Sequence, residues 1–385
     1  MMATPLTPKQ RLLRAYRGQP VDRPPAAPEL WYYYPAKLLG VDMIRFQKEV
    51  PFHQALKHAF AHFGCEGWGV AFAGPPNPAV TAKTTERWLD GDTLETHTTL
   101  HTPHGDLTSG QRFHREEPSW SIERPLKDLG RDLPAWECAA FGGQPEDTDV
   151  TPLIRAWEDV GETYLLEAWL GVPFFDFWAG AREGGFETGV LDLYETDLQP
   201  RLEALQARYT ERLVRLARVI CERTPLESLC LGCSWSCNSL LGPVLWRRWD
   251  KPVIRAVATE VQRHGRLLHV HFHGRCLETV TDFAEIGIDC VCPFERPPGG
   301  DVGGADGLRQ VAQALRGRTT MNGNVHTVET LIRGGPADVR REVHEILAAF
   351  AGNPRVVVGT GDQVGRETPE ENLAALVEAV KQGLP

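Results

Sequence analysis

From Tyr164 to the end of the chain, short strand-like runs alternate with helix-like segments, and this alternation restricts the fold more than any single residue does. Tyr164 to Trp169, Leu226 to Leu231, Arg266 to His273, Ile288 to Cys292, Thr319 to Asn322 and Arg355 to Thr360 read as strands. The intervening patterns read as helices: Glu187 to Tyr194, Leu202 to Arg223, Val244 to His264 with a break at Pro252, Leu277 to Glu285, Ala305 to Arg316, Ala337 to Phe350 and Pro369 to Lys381. Upstream, Ala26 to Trp31 and Gly67 to Ala73 add two strands. The helix Thr7 to Gly18 has Thr7 as N-cap, Pro8 in its first turn and Gly18 as its stop, and Pro51 to His62 forms another. Eight strand candidates separated mostly by helices predict a (β/α)8 TIM barrel as a single domain over residues 1–385, with chemistry at the strand C-termini. A doubly wound sheet is the runner-up, but no G-x-G-x-x-G follows the first strand.

Two stretches depart from the alternation. Thr81 to Arg124 alternates polar and β-branched residues around Pro103-His104-Gly105-Asp106, which predicts an antiparallel β-hairpin insertion. Its histidines, His97, His101, His104 and His114, are expected to be exposed hairpin residues. Pro125 to Pro152 is rich in Pro, Gly and acids and reads as a surface connection.

The length allows a large core, and 42% hydrophobic with 24% charged residues are values for a folded protein. A net charge of -10 without a Lys/Arg run excludes a nucleic-acid backbone as the expected partner. The first residues lack an apolar h-region and nowhere do enough apolar residues run together to span a bilayer, so a soluble, cytoplasmic protein with no membrane partner is expected. Nine cysteines suggest reduced thiols. Cys230, Cys233 and Cys237 lack a fourth cysteine for a cluster, and Cys290 and Cys292 read as small buried hydrophobes.

The chemistry concentrates at Leu267-Leu268-His269-Val270-His271-Phe272-His273-Gly274. Strand alternation puts the three histidines on one face and Leu268, Val270 and Phe272 on the other. A hydrogen-bonded ladder is the plain reading; for His271 and His273, ahead of a Gly, a shared metal ion is the sharper one. Later strand ends add Glu295, in Cys292-Pro293-Phe294-Glu295, and Asp362, in Gly359-Thr360-Gly361-Asp362. Two imidazoles and two carboxylates at one rim make a tetrahedral set for zinc or another divalent metal: His271, His273, Glu295 and Asp362. His326, after Asn322-Gly323-Asn324-Val325, is a further acid/base candidate beside His271, His273 and Asp362. Trp31, Tyr32, Trp169, Phe174, Trp235, Asn322 and Asn324 are the expected substrate-binding residues.

At this point the chain resembles the superfamily of uroporphyrinogen decarboxylase and the cobalamin-dependent methyltransferases. The likeness rests on Thr7-Pro8-Lys9-Gln10-Arg11 through Gly18, Asp22-Arg23-Pro24, His271-x-His273-Gly274, Gly323-Asn324 and Thr368-Pro369-Glu370-Glu371-Asn372. The resemblance implies a barrel with its site at the strand C-termini. The decarboxylase holds its substrate's carboxylates with an arginine-bearing N-terminal run, whereas here Glu29-Leu30-Trp31-Tyr32-Tyr33-Tyr34-Pro35 contains no arginine. The methyltransferases carry zinc on His-x-Cys-Gly, a Glu and a late Cys. His271 matches that His, His273 the first Cys, Glu295 the Glu and Asp362 the late Cys, so two thiolates have become an imidazole and a carboxylate and the metal is harder.

The leading expectation is therefore a metal-dependent methyltransferase-like enzyme moving a methyl group between a small methyl donor or acceptor and a corrinoid held on a partner protein. The alternatives are a decarboxylase acting on a carboxylated small molecule and a non-catalytic ligand-binding barrel.

Overall fold

The computed structural model describes residues 5–315 and 317–384. In chain order its strands are β1 (Ala26–Ala27), β2 (Trp68–Phe72), β3 (Thr81–Trp88), β4 (Thr93–Thr102), β5 (Gly105–His114), β6 (Trp120–Glu123), β7 (Leu165–Gly171), β8 (Ser228–Cys233), β9 (Leu267–Phe272), β10 (Cys290–Pro293), β11 (Thr320–Val325) and β12 (Val356–Thr360). Eight of them form one parallel sheet in the order β1-β12-β11-β10-β9-β8-β7-β2. β3 to β6 form a separate four-stranded antiparallel sheet. The first helix, α1 (Pro8–Arg17), starts at a Thr7–Gln10 capping box and stops at Gly18, as its sequence predicts.

The parallel sheet curls, and its inward and outward faces sort as strand alternation requires. Leu268, Val270 and Phe272 of β9 pack outward with helix residues such as Val257 and Phe283. Leu267 joins an inner cluster with Ala27, Trp68, Val70, Leu165, Cys230, Cys290, Cys292 and Val357, residues drawn from both outermost strands and from most of those between. Leu12, Leu13, Ala15 and Tyr16 of α1 enter the same cluster, so α1 covers one end of the curl. Thr320 Oγ1 ties β11 to α1 by donating to Ala15 O at 2.8 Å.

The closed barrel expected from the strand count is met only in part, because β1 and β2 make no ladder with each other among the described residues. β1 is two residues long, between Pro24-Pro25 and Pro28. Prolines lack the amide hydrogen that a longer ladder needs. A side chain spans the gap instead: Glu66, 1% exposed, accepts from Ala26 N at 2.8 Å and from the guanidinium groups of Arg11 and Arg23.

Three local expectations need correction. The connection 125–152 contains a helix, Leu129–Phe141, capped by Asp128, because burial of Trp136 against Phe177 and Trp178 outweighs its Pro and Gly content. Trp31 to Tyr34 does not end a strand but leads into the helix Tyr33–Leu39, and Phe174–Ala181 is a helix the periodicity did not suggest. The single hairpin is a four-stranded sheet, with β4 and β5 as its long central pair. The helix expected to end at Arg316 runs Gly304–Leu315, and Arg316 itself lies outside the described residues. No helix among those residues is long and apolar enough to cross a membrane.

Candidate metal centre

Four chain segments at the C-terminal end of the parallel sheet supply the centre. β9 delivers His271 and, just beyond its end, His273; β10 delivers Cys292 and, three residues on, Glu295; Asp362 follows β12, and Glu29 follows β1. The turn after His273 depends on Gly274, which has φ 71° and no room for a Cβ, since that atom would fall 2.4 Å from Ser239 Oγ. Asp362 has φ 151°, uncommon for a residue with a side chain, and Thr360 Oγ1 holds it there by donating to Asp362 O at 2.6 Å.

His271 Nε2 and His273 Nε2 face each other at 2.7 Å, and a donor atom of Asp362 joins them within 4.8 Å. The surrounding hydrogen bonds assign the tautomers. Glu167 Oε1 accepts from Ser228 Oγ at 2.6 Å, and its Oε2 lies 2.8 Å from His269 Nδ1. His269 Nε2 lies 3.1 Å from Cys292 Sγ, and that sulfur lies 3.0 Å from His271 Nδ1. With Glu167 as acceptor, His269 carries its proton on Nδ1, the Cys292 thiol donates to His269 Nε2, and His271 donates Nδ1–H to sulfur. His271 Nε2 is then left with its lone pair. From the other side, Glu295 Oε1 accepts from Gly274 N at 2.8 Å and from His273 Nδ1 at 2.9 Å, leaving a lone pair on His273 Nε2 as well. Two lone pairs across 2.7 Å repel unless a proton or a cation lies between them.

The charges around the pair agree with that. Burial alone would lower the His273 pKa, but the Glu295 hydrogen bond and the charges of Asp362, Glu295 and Glu29 raise it to about 9. His271 is pushed well below its ordinary value by burial and by its imidazole neighbours. Burial raises Asp362 and Glu29, and Glu29 is raised further by the Asp362 charge. Glu295 is lowered: burial opposes ionisation, and the His273 and Gly274 hydrogen bonds overcome it. His273 and Glu295 thus favour their charged forms as a pair, while His271, Asp362 and Glu29 favour their neutral forms.

The donors fit a divalent metal. Two imidazole nitrogens and one carboxylate oxygen make a three-ligand set with an open position, and tetrahedral zinc needs its nitrogens about 3.3 Å apart, a small opening from 2.7 Å. Glu295, expected as the fourth donor, lies instead against His273 Nδ1 at 2.9 Å, where a carboxylate would orient that imidazole if its Nε2 held an ion.

The other expected site residues divide. Trp31 lies parallel to the His271 ring, 6.1 Å away at 16°, and Tyr32 packs edge-on against Trp31. Trp169 packs inside the curl under Gly232, where a Cβ would strike its ring. Phe174 is corrected: it is fully buried outside the sheet, stacked on Trp249. Trp235 lies against Phe186 and the Arg124 guanidinium. Asn322 is buried with Nδ2 unpartnered, while Asn324 Nδ2 donates to Phe294 O and Val302 O and so ties down the loop after β10. His326, expected as an acid/base group, caps a helical turn: Nδ1 accepts from Val328 N and Glu329 N, and Nε2 donates to Pro297 O at 3.0 Å. Beside the centre, Glu295, His326, Arg333 and Asp362 border a cleft of 260 Å³.

Sequence reasoning missed Glu29 and Cys292. Glu29 is the only acid in the aromatic stretch that follows the prolines, and Cys292 shares strand parity with Cys290 on the inner face. Those were the available signals. The Cys230-Cys233-Cys237 run divides across the sheet, Cys230 facing inward and the other two packing outward.

Comparison with known proteins adds three findings. Residues 202–383 match the family model described as uroporphyrinogen decarboxylase (URO-D). Uroporphyrinogen decarboxylase from Thermus thermophilus is 28% identical over 180 residues, covering 46% of this chain and 48% of that protein. The Coxiella burnetii enzyme is 28% identical over 153 residues, covering 37% and 38%. The chain spans about half the length, or less, of the curated relatives it matches. Among solved structures, a methyltransferase from Methanosarcina mazei aligns over 98% of this chain and 99% of its own with a TM-score of 0.66 at 18% identity, a likeness of fold. Taken together, residues 202–383 are similar to the uroporphyrinogen decarboxylase family, at 28% identity to the enzymes named above, and the chain shares its fold with the Methanosarcina mazei methyltransferase.

Proposed function

We propose that this chain is a divalent-metal-dependent methyltransferase that moves a methyl group between a small, partly apolar substrate and a corrinoid carried by a partner protein. The observation that carries the reading is the pair of Nε2 atoms 2.7 Å apart, each ring held by its own outer contact, with Asp362 beside them. His271 Nε2, His273 Nε2 and Asp362 hold the ion, zinc being the ion such donors favour, and Glu295 orients His273. The bound ion supplies Lewis acidity to a substrate heteroatom at the open position. Trp31 offers an apolar wall beside the His271 ring. His273 keeps a proton between the two rings until a cation replaces it.

The structural likeness to the Methanosarcina mazei methyltransferase supports the choice of chemistry, and so does the absence of arginine from Glu29 to Pro35. A decarboxylase using His326 has less support, because both nitrogens of that ring are engaged by backbone groups. The test is elemental analysis combined with methylcobalamin spectroscopy. Metal-loaded protein with a thiol or methoxy compound is expected to convert the methyl-cobalt spectrum to that of the reduced corrinoid. His273→Ala is expected to lose both the metal and the conversion. Wild-type protein that binds no divalent ion overturns the metal reading, and metal-loaded protein inert toward every such compound overturns the methyl-transfer reading.

A further inference from the structure

Behind His271 the interior holds donors that the outer centre does not use. His271 Nδ1 lies 3.0 Å from Cys292 Sγ and 3.8 Å from Glu29 Oε2, and all three donors lie within 4.8 Å of one another. The residues are 8, 2 and 5% exposed, respectively. Glu29 is the anomaly. Its backbone N donates to Thr360 Oγ1, but among the described residues no hydrogen bond reaches its carboxylate oxygens. A carboxylate this little exposed, with neither donor nor counter-ion, is costly to hold ionised, and burial raises Glu29 well above the usual carboxylate range; the side chains beside it are metal-type ligands, and a cation among them would release its proton to solvent and hold it ionised.

We propose that Glu29, His271 through Nδ1, and Cys292 form a second, inner cation site that takes a thiophilic divalent ion such as zinc or cadmium. One oxygen, one nitrogen and one sulfur suit a borderline or soft ion, whereas magnesium and calcium select oxygen sets. Binding breaks the Cys292 S–H bond; sulfur keeps the electron pair and forms the bond to the ion. The proton passes to His269 Nε2, 3.1 Å away, and Glu167 at the opposite ring nitrogen balances the imidazolium formed. His271 gives up its Nδ1 proton, which moves to Nε2 when the inner ion is alone; the proton His273 held between the rings then leaves to solvent, and His273 Nε2 accepts from His271 Nε2. When an ion also occupies the outer centre that His271 proton leaves to solvent, and His271 bridges the two ions as an imidazolate. The inner site does not depend on the outer centre being one of methyl transfer.

Cadmium titration of the full-length, reduced protein, followed by thiolate-to-cadmium charge-transfer absorbance in the near ultraviolet, tests the proposal. Wild-type protein is expected to show a saturable band that Cys292→Ser abolishes with its circular dichroism unchanged. Glu29→Gln, which keeps every cysteine, is expected to move the band's midpoint to at least tenfold higher cadmium. His273→Ala and Asp362→Asn, which damage only the outer centre, are expected to retain the band. A band that survives in Cys292→Ser, or metal bound by wild-type protein without any thiolate band, overturns the inner site; in the second case the outer centre stands. Should Cys292→Ser fail to fold, an unchanged midpoint in Glu29→Gln overturns the proposal by itself.

Discussion

Histidines crowd two regions of this molecule, and the two put them to opposite use. On the antiparallel sheet, His97 and His101 of β4 and His104 in the turn are exposed, and each ring that pairs does so with carboxylates and not with another ring: His97 beside Glu95 and Glu123, His101 with Asp106 at 2.9 Å. On β9 and just past its end, His269, His271 and His273 follow one another at every second residue, not at steps of four and three, and turn inside a curled sheet. They share partners, and each ring fixes the proton of the next. A local abundance of histidines therefore says little by itself about metal binding. Solvent lets each surface imidazole settle independently, whereas burial forces every ring nitrogen to find a partner and so couples the rings into one network.

The sharpest way to break this contrast is to remove histidines from each region. His271→Ala with His273→Ala is expected to abolish stoichiometric divalent metal by elemental analysis, while His97→Ala with His101→Ala leaves it unchanged. Metal lost from the surface double variant instead would show that the surface sheet, not the β9 strand, is the binding region.

Carboxylates extend the comparison. Asp250, fully buried, accepts from Phe175 N at 2.8 Å and Ser236 Oγ at 2.6 Å, and burial pushes its pKa up to about 7. Because the folded value lies above the unfolded one, Asp250 favours the folded state fully below about pH 4. That contribution is lost as pH rises to about 7 and stays lost above it. Asp250→Asn can keep both hydrogen bonds, with Ser236 Oγ now accepting. It is expected to be more stable than wild type by about 2–4 kcal/mol at pH 8 and to show no gain at pH 4, by chemical denaturation at the two pH values. A gain independent of pH would assign the effect to packing.

Glu295→Gln separates an orienting carboxylate from a direct ligand. Loss of the orienting role is expected to weaken metal affinity about 10–100-fold in chelator competition, with the stoichiometry unchanged. Complete loss of the ion would place Glu295 among the ligands. The smallest effect is expected at the surface pair, where His101→Ala should leave the melting temperature within about 2 °C of wild type, since exposed pairs contribute little.

Uroporphyrinogen turnover bears on the family relationship. Without guanidinium groups between Glu29 and Pro35, conversion to coproporphyrinogen is expected to stay at background. Clear turnover in a direct assay would show that the aromatic segment replaces them.

Much of the frame was legible in the residues. The period-two pattern of β9, the capping box of α1, the Pro252 break between helices and the strand ends carrying Glu295 and Asp362 are local signals, each decided by a side chain and its near neighbours in sequence. Their alternation determined a parallel α/β fold with an antiparallel insertion and put His271, His273 and Asp362 at one rim. What only the tertiary structure decided is everything that depends on who stands beside whom across the curl. Cys292 reads as a small hydrophobe until β9 sets two imidazoles against its sulfur, and Glu29 reads as one more residue of a short strand until the turn after β1 places it behind His271. The Leu129–Phe141 helix owes its formation to Phe177 and Trp178, far along the chain, and the open join between β1 and β2 comes from prolines whose missing amide hydrogens matter only where a neighbouring strand would need them. Hydrogen bonding and burial are relations between distant residues, and a sequence lists the partners without pairing them.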